Sequence, residues 1–327
     1  MSDVGWMVTY DGRSGGAWVR RQVVDGLAGA VDIEEVTVDA GLAPRQFVSG
    51  AWELATYDDP AVDCWVESLS SLAVRGPGRR TPNVLALHHL PTPSPTESLG
   101  DALSAVKSAL VRLRLREVDH IVVVSDFWAH YLEARGLGDR VTTIYNGLPV
   151  DRFDFDEAAV AETRERLCDD PDEPLIHVGP CAPGKGGRRV AETLADWDAT
   201  LVTTGRTDSE APVTHLDLPY DEYLTVLAAC DAVVAMSAFP EGWGLQVQEA
   251  MLARTPVVGS GRGGMGMLLE GGDQVVCEAW ADLEASVGRA LDERERLGER
   301  GREYASQFTR ERMIEEWGAF FEEVLGP

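Results

Sequence analysis

Lysine is nearly absent from this chain. Only Lys107 and Lys185 occur, and every other basic residue is an arginine, although lysine normally ranks among the commonest residues. Basic charge as a whole is scarce: 29 Lys and Arg stand against 55 Asp and Glu, a net −26. That argues against nucleic acid as a partner, because such binding needs a clustered basic surface. An anionic ligand in a locally positive pocket remains allowed. Paired cysteines are also missing. Cys64, Cys168, Cys181, Cys230 and Cys277 are odd in number and form no C-x-x-C, which argues against a disulfide framework or a zinc site and for reduced thiols in a cytosol. No apolar run reaches the roughly 18 residues of a membrane span. The opening residues MSDVGWMVTY lack a charged leader followed by an apolar stretch, so no signal peptide is expected. The early loop DGRSGGA lacks the G-x-G-x-x-G spacing, which argues against a Rossmann oxidoreductase.

What is present suits a soluble globular chain. Its 327 residues, 44% hydrophobic and 7% aromatic, are enough for two domains with proper cores. Strong acidity with lysine depletion resembles the proteins of halophilic archaea. In about 1 M salt the Debye length is roughly 3 Å, so surface carboxylates hardly repel one another. In dilute buffer they do, and the fold is expected to loosen.

Strand-like and helix-like segments alternate. Val4–Tyr10, Val84–Leu87, Ile121–Val124, Thr142–Tyr145, Leu175–Val178, Ala199–Thr203, Ala232–Ala235, Pro256–Val258 and Gln274–Cys277 read as strands. Ala17–Leu27, Asp101–Arg116, Phe127–Arg135, Arg188–Ala195, Asp221–Ala229 and Leu245–Ala253 read as helices. Such alternation predicts parallel sheets with helices on both faces, here as an α/β chain of two Rossmann-like halves facing a cleft. The expected division is 1–148 as the first domain, 149–174 as an Asp-rich linker, 175–303 as the second domain, and 304–327 as a C-terminal helix.

The segment FPEGWGLQVQEAM, 239–251, carries the most chemistry. Glu241 stands in a Gly-rich turn, and Glu249 lies eight residues on, along the helix which that turn opens. Free N–H groups at a helix start attract phosphate, and carboxylates accept hydrogen bonds from hydroxyls. Together they describe a pocket for a nucleotide sugar. The same two residues also suit a plain helix start, since acidic groups favour its positive end. Upstream, LIHVGPCAPGKGG runs from a strand into a loop bearing Lys185, placed for charge-assisted bonding to a diphosphate. Arg188 and Arg189 follow it. Gly15 and Gly16 precede the first helix, where a phosphate can also sit. His88 and His89 end the strand-like NVLALHH.

These motifs resemble the retaining GT-B glycosyltransferases of group 1, the glycogen- and sucrose-synthase-like class that includes glycosyltransferase family 4. Ser237 through Met251 match the family's E-x7-E setting, as do Thr255–Gly259 with Gly263-Gly264, the hinge IYNGLPVDRF and VVVSDFWAHYL. The resemblance implies the GT-B architecture, with the C-terminal helix packing back toward the first domain. Glu241 would hold hydroxyls of the donor sugar and Glu249 those of the ribose. Amides at Trp243, Gly244 and Leu245, with the Gly15-Gly16 turn, would surround sugar and phosphates. Lys185 would bind the leaving diphosphate, and His88 would approach the sugar in the transition state. His88, Glu241 and Lys185 are thus the expected catalytic set. No metal or other cofactor is expected, and no Asp-x-Asp motif stands in a suitable loop. One position departs from the family: Pro180 occupies the place of its usual Arg in G-R-x-x-x-x-K-G. Arg188, Arg206 and Arg262 are the candidate replacements.

The expected reaction is hexosyl transfer from a nucleotide-diphosphate sugar to a hydroxyl acceptor, by same-face displacement with retention. The alternatives are a glycoside phosphorylase on the same scaffold and a non-catalytic nucleotide-sugar-binding protein. The acceptor is open among a glycan, a lipid-linked sugar and a small molecule. Trp52, Tyr57 and Trp65 are readable as stacking residues for sugars, with core packing the stronger reading. Arg112, Arg114 and Arg116 are readable as a weak peripheral contact with the inner face of a membrane, with a solvated face the stronger reading. PTPSP, 91–95, reads as a stiff surface turn or lid. The expected compartment is the cytoplasm.

Overall fold

The structure is a computed structural model that describes residues 3–9, 15–38, 44–56, 61–77, 82–90, 99–170, 172–205 and 211–326. Two compact units divide the chain: Met1–Gly147 with Arg310–Pro327, and Leu148–Thr309. Tyr57, Arg206, the 91–95 turn and the 10–14 part of the first loop lie outside the described residues.

Unit 1 alternates β1 (Val4–Val8), α1 (Gly15–Leu27), β2 (Ile33–Thr37), α2 (Pro44–Thr56), β3 (Cys64–Glu67), α3 (Leu69–Arg75), β4 (Asn83–Leu87), α4 (Leu99–Arg114), β5 (His120–Val123), α5 (Asp126–Glu133) and β6 (Val141–Thr143). The six strands form one sheet in the order β2-β1-β3-β4-β5-β6, and every pairing is parallel. The runs VGWMV and CWVE are buried at every position, as strands covered on both faces must be. The edge strand β2, IEEVT, buries only Val36. Its two glutamates disguise it in the sequence, and they suit an edge that must not pair further.

Unit 2 contains α6 (Glu157–Leu167), β7 (Leu175–His177), α7 (Gly187–Thr193), β8 (Thr200–Thr204), β9 (Thr214–Leu216), α8 (Tyr220–Ala229), β10 (Ala232–Ala235), α9 (Leu245–Leu252), β11 (Val257–Gly259), α10 (Gly264–Gly271), β12 (Val275–Val276), α11 (Leu283–Asp292) and α12 (Arg294–Ala305). Its all-parallel sheet has the order β12-β11-β10-β7-β8-β9. Counted from its own first strand this is the 3-2-1-4-5-6 Rossmann order. The order reverses between β7 and β10, so the loops leaving those strands flank the crevice where such sheets take ligands.

Segment 149–174, expected as a linker, lies inside unit 2. Arg164 of α6 bonds Asp231 at 2.7 Å, the Ala229 carbonyl at 3.1 Å and the Glu173 carbonyl at 2.8 Å. Arg302 holds the Phe153 carbonyl at 2.9 Å and Asp154 at 2.6 Å. An acidic stretch looks like solvated linker in sequence, yet Arg164 within it and Arg302 from a distant position fasten it to the rest of unit 2.

The final helix, α13 (Arg310–Leu325), belongs to unit 1. It begins at Arg310 rather than 304, because α12 ends at Ala305. Met313, Trp317, Phe320 and Phe321 recur at helical spacing and are buried. Trp317 packs on Trp6 of β1 with ring centroids 5.3 Å apart, and Arg310 bonds Gln22 of α1 at 2.6 Å. The C-terminal helix therefore returns to the first unit. No helix among the described residues is long and apolar enough to cross a membrane.

Candidate active site

The loops after β7 and β10 interlock at the crevice of unit 2. Ala238 N–H donates to the Gly184 carbonyl at 2.8 Å. Gly186 has φ +84°, and a Cβ there would lie 2.2 Å from the Met236 carbonyl oxygen, so only glycine lets the loops approach this closely. Lys185 thereby meets Glu241. Its Nζ lies 2.7 Å from Glu241 Oε1 and 4.9 Å from the Phe239 ring centroid. The hydroxyl of buried Ser237 donates to the same carboxylate oxygen. The Lys185 side chain keeps 37% of its surface exposed and Glu241 keeps 13%, so the ammonium remains open to an incoming anion. The backbone of Glu241 is clamped on both sides, its N–H on the Arg262 carbonyl at 3.1 Å and its carbonyl on the Gly264 N–H at 2.9 Å. That clamp requires Gly263, φ +74°, where a Cβ would meet the Glu241 carbonyl oxygen at 2.3 Å.

The turn Gly242-Trp243-Gly244 opens α9. Trp243 is buried, donates Nε1–H to Gln248 at 2.7 Å and packs edge-on to Phe308 at 4.8 Å. It is a wedge that fixes the turn while its neighbours present their backbone. The first bonds within the helix run from the Val247 and Gln248 N–H groups to the Gly244 carbonyl. The N–H groups of Gly244, Leu245 and Gln246 precede them, at the positive end of the helix.

Glu249 lies on α9 and is 8% exposed. Tyr220 donates to its Oε1 and Tyr223 to its Oε2, each at 2.8 Å. Burial pushes its pKa up to about 7, against the opposing pull of the two tyrosine bonds. Burial and the carboxylate push both tyrosines above their ordinary range, so both are neutral donors. The expected ribose ligand is thus already held by two phenols that the motif does not contain.

A second buried group supports the phosphate-side loop. His177 ends β7, bonds Thr204 through Nε2 at 2.9 Å and accepts the Gly179 N–H at Nδ1 at 3.0 Å. Burial lowers its pKa to about 4, so it is neutral, with its proton on Nε2. Thr203 donates to the Gly179 carbonyl at 2.6 Å. Pro180 follows in the place of the family's arginine. Of the candidate replacements, Arg188 bonds Glu192 at 2.8 Å on an exposed helix face. Arg262 donates to the Ala238 carbonyl at 2.8 Å and holds the loop that carries Glu241. Sequence reasoning missed Ser237, His177, Tyr220 and Tyr223. Ser237 was legible as part of the motif, whereas the others act through contacts 26 to 29 residues apart or longer.

Unit 1 brings together Gly16 and His88. Gly16 lies in the first turn of α1, and a Cβ there would sit 3.1 Å from His88 Cδ2 and 3.2 Å from Nε2. His88 directly follows β4, and burial together with neighbouring His89 lowers its pKa to about 4. Gly15 is exposed at the start of the same helix. Trp65 is buried core, as the stronger reading has it, but Trp52 is 73% exposed: it stands on the outer side of α2, whose Leu54 is the buried partner. The basic row of α4 is mostly internal. Arg112 bonds Tyr131 at 3.0 Å, and Arg114 caps the carbonyls of Leu72 and Ala73 at 2.9 and 3.0 Å. Arg112 and Arg114 are half-buried, and Arg116, in the turn that follows α4, is exposed. All five cysteines are free and buried.

A hollow of about 940 Å³ opens at the opposite, amino-terminal edge of the unit 2 sheet, beside Pro174, Asp231 and Pro256. Its arginines are paired, Arg164 and Arg294 with Asp231 and Arg254 with Glu299. Its size outranks its chemistry, and the crevice at the carboxyl ends of β7 and β10 is the candidate site.

Comparison with known proteins bears on the fold and on parts of each half. Residues 62–152 match the Glycosyltransferase Family 4 profile, and residues 214–307 match Glycosyl transferases group 1. A D-inositol 3-phosphate glycosyltransferase of Corynebacterium diphtheriae is 32% identical over 164 residues, which span 46% of this chain and 34% of that protein. Among solved structures, sucrose-phosphate synthase from Thermosynechococcus elongatus aligns with TM-score 0.76 and 20% identity over 99% of each chain. Anabaena HepE, solved in complex with UDP and glucose, aligns with TM-score 0.73 and 18% identity over 99% of this chain and 100% of its own. WaaG, a glycosyltransferase involved in lipopolysaccharide biosynthesis, aligns with TM-score 0.71 and 14% identity over 99% and 100%. The chain thus has the two-domain GT-B fold, with a glycosyltransferase profile matching part of each half.

Proposed function

We propose that the protein transfers a sugar from a nucleoside-diphosphate sugar to a hydroxyl acceptor, with retention at the anomeric carbon. The observation that carries this reading is the Lys185–Glu241 pair beside the start of α9, the helix that also carries Glu249, at the Rossmann crevice. Breaking the anomeric bond places negative charge on the departing diphosphate and positive charge on the sugar. Lys185 and the N–H groups at the start of α9 are aimed at the first of these. Glu241 accepts hydroxyls of the sugar, and Glu249 accepts those of the ribose. Positive charge for the diphosphate comes from Lys185 and the helix rather than from a metal. In unit 1, neutral His88 is the group assigned to the sugar. The displacement runs on one face: the bond from the anomeric carbon to the phosphate oxygen breaks, the acceptor oxygen bonds that carbon, and the acceptor's proton passes to the leaving phosphate. HepE's complex with UDP and glucose makes UDP-glucose the first donor to try. The net −26 charge supports work in a salty cytosol, where screening removes surface repulsion.

The test is nucleotide release from UDP-, GDP- and ADP-sugars with a panel of hydroxyl acceptors, in about molar KCl, where screening is strong. Wild type releases nucleotide, with the product anomer matching the donor. Glu241→Ala stays folded and loses transfer. Tight donor binding without release on any acceptor would overturn the enzymatic reading, and sugar phosphate formed from free phosphate would replace it with a phosphorylase.

A further inference from the structure

Tyr220 and Tyr223 stand outside the E-x7-E motif, yet they decide what Glu249 offers a ligand. They sit three residues apart in the first turn of α8, on one helix face. Each hydroxyl takes a different oxygen of the carboxylate, at 2.8 Å. Each phenol is held from behind. The Tyr223 ring lies edge-on to buried His177 at 6.2 Å and 6.0 Å from the Tyr220 ring. The Arg152 guanidinium lies 5.6 Å from the Tyr220 ring centroid and is tied to Asp221 at 3.2 Å.

A carboxylate has about four lone-pair sites, two on each oxygen. With Glu249 ionised, above its pKa of about 7, the tyrosines take one on each, so each oxygen keeps one. The terminal torsion of a glutamate is otherwise soft and roughly two-fold, and two donors on opposite oxygens hold the carboxylate plane. What remains is a pair of acceptors at the spacing of two neighbouring hydroxyls. The adjacent hydroxyls of an intact ribose fit that pair. A deoxyribose supplies one of them and leaves a buried acceptor unmatched, which is the costly case.

We infer that Tyr220 and Tyr223 are positioning residues that set Glu249 to accept both ribose hydroxyls, so that the site selects ribonucleoside over deoxyribonucleoside diphosphates. This rests on the reading of the crevice as a nucleoside-diphosphate-sugar site.

The experiment is calorimetric titration of the full chain in about molar KCl, chosen for screening. The probes are UDP, GDP and ADP, then the deoxyribose counterpart of the tightest binder. The proteins are wild type, Tyr220→Phe, Tyr223→Phe and the double variant, each checked by thermal melt. Wild type is expected to favour the ribonucleotide by about tenfold or more. Each single variant lowers that ratio, and the double variant brings it within about threefold. The ratio is a readout that a merely structural role would leave unmoved. Half-buried Tyr220 carries the test if Tyr223→Phe does not fold. An unchanged ratio in folded variants overturns the inference alone, as does tighter ribonucleotide binding in them, which would mean the phenols compete with the ribose. Wild type that binds none of the three nucleotides overturns the donor-site reading and the inference with it.

Discussion

Glu249 is a buried carboxylate, and its replacement by glutamine measures what that burial costs in stability. Burial raises its pKa from an ordinary 4.5 to about 7. The folded state therefore binds its proton more tightly than the unfolded chain does. Stability from this group is fully present below about pH 4.5 and is lost as pH rises toward 7. At about 1.4 kcal/mol per pKa unit, the full loss is about 3 kcal/mol, of which about 2.5 kcal/mol falls between pH 5 and pH 8. The groups facing it are Tyr220 and Tyr223 of α8, with Arg152 and Asp221 beyond Tyr220. Two histidines pull the other way. His88 and His177 have pKa values lowered to about 4, so their contribution is lost as pH falls below their ordinary 6.5. The wild-type profile sums these opposing slopes, and the difference between Glu249→Gln and wild type isolates one of them. The assay is urea denaturation of both proteins at several pH values from about 5 to 8 in constant molar KCl, read by far-UV circular dichroism. The variant should gain on wild type by about 2.5 kcal/mol across that range while losing nucleotide affinity. Parallel pH profiles for the two proteins would refute the argument that burial raises this group, whatever happens to binding.

Lys185→Ala removes a half-exposed ion pair, so it should cost no more than about 1 kcal/mol in a thermal melt while lowering kcat by about 100-fold or more; a large stability loss with normal turnover would make Lys185 structural. Gly16→Ala places a methyl 3.1 to 3.2 Å from the His88 ring, which must then shift by a few tenths of an ångström. Because alanine is the better helix residue by up to about 1 kcal/mol, the variant should melt no lower than wild type but turn over more slowly, and unchanged initial rates would show that the position of His88 is unimportant. Raising KCl from dilute buffer to about 2 M should raise the melting temperature by screening the −26 charge; a melt that does not depend on salt would remove the halophilic reading.

Local pattern was enough for most of the architecture. Short runs such as VLAL, IVVV and AVVA are apolar at every position, and only strands covered on both faces use such runs, so two parallel sheets were legible. The strands that escaped were β3, the short buried run CWVE, and two others: β2, with paired glutamates on an edge, and β9, with the half-exposed sequence THL. Their pairing is supplied by neighbours rather than by their own composition. The Asp-rich 149–174 stretch looked like solvent because one half-buried arginine, Arg164, cannot be told from a surface one without its partners.

For the site, the sequence by itself determined which chemistry is present. Glu241 and Glu249 at fixed separation on a Gly-opened helix, with Lys185 in a lysine-poor chain, follow from covalent order and helical period. Which of those groups meet was decided by tertiary structure. Lys185 and Glu241 are 56 residues apart and touch only because the strand order reverses between β7 and β10. The phenols on Glu249 come from α8, and the imidazole that supports the Gly179 turn comes from the end of β7. The physical reason is that period and capping act within a few residues. The pKa and orientation of a buried carboxylate depend on whatever the rest of the fold packs against it.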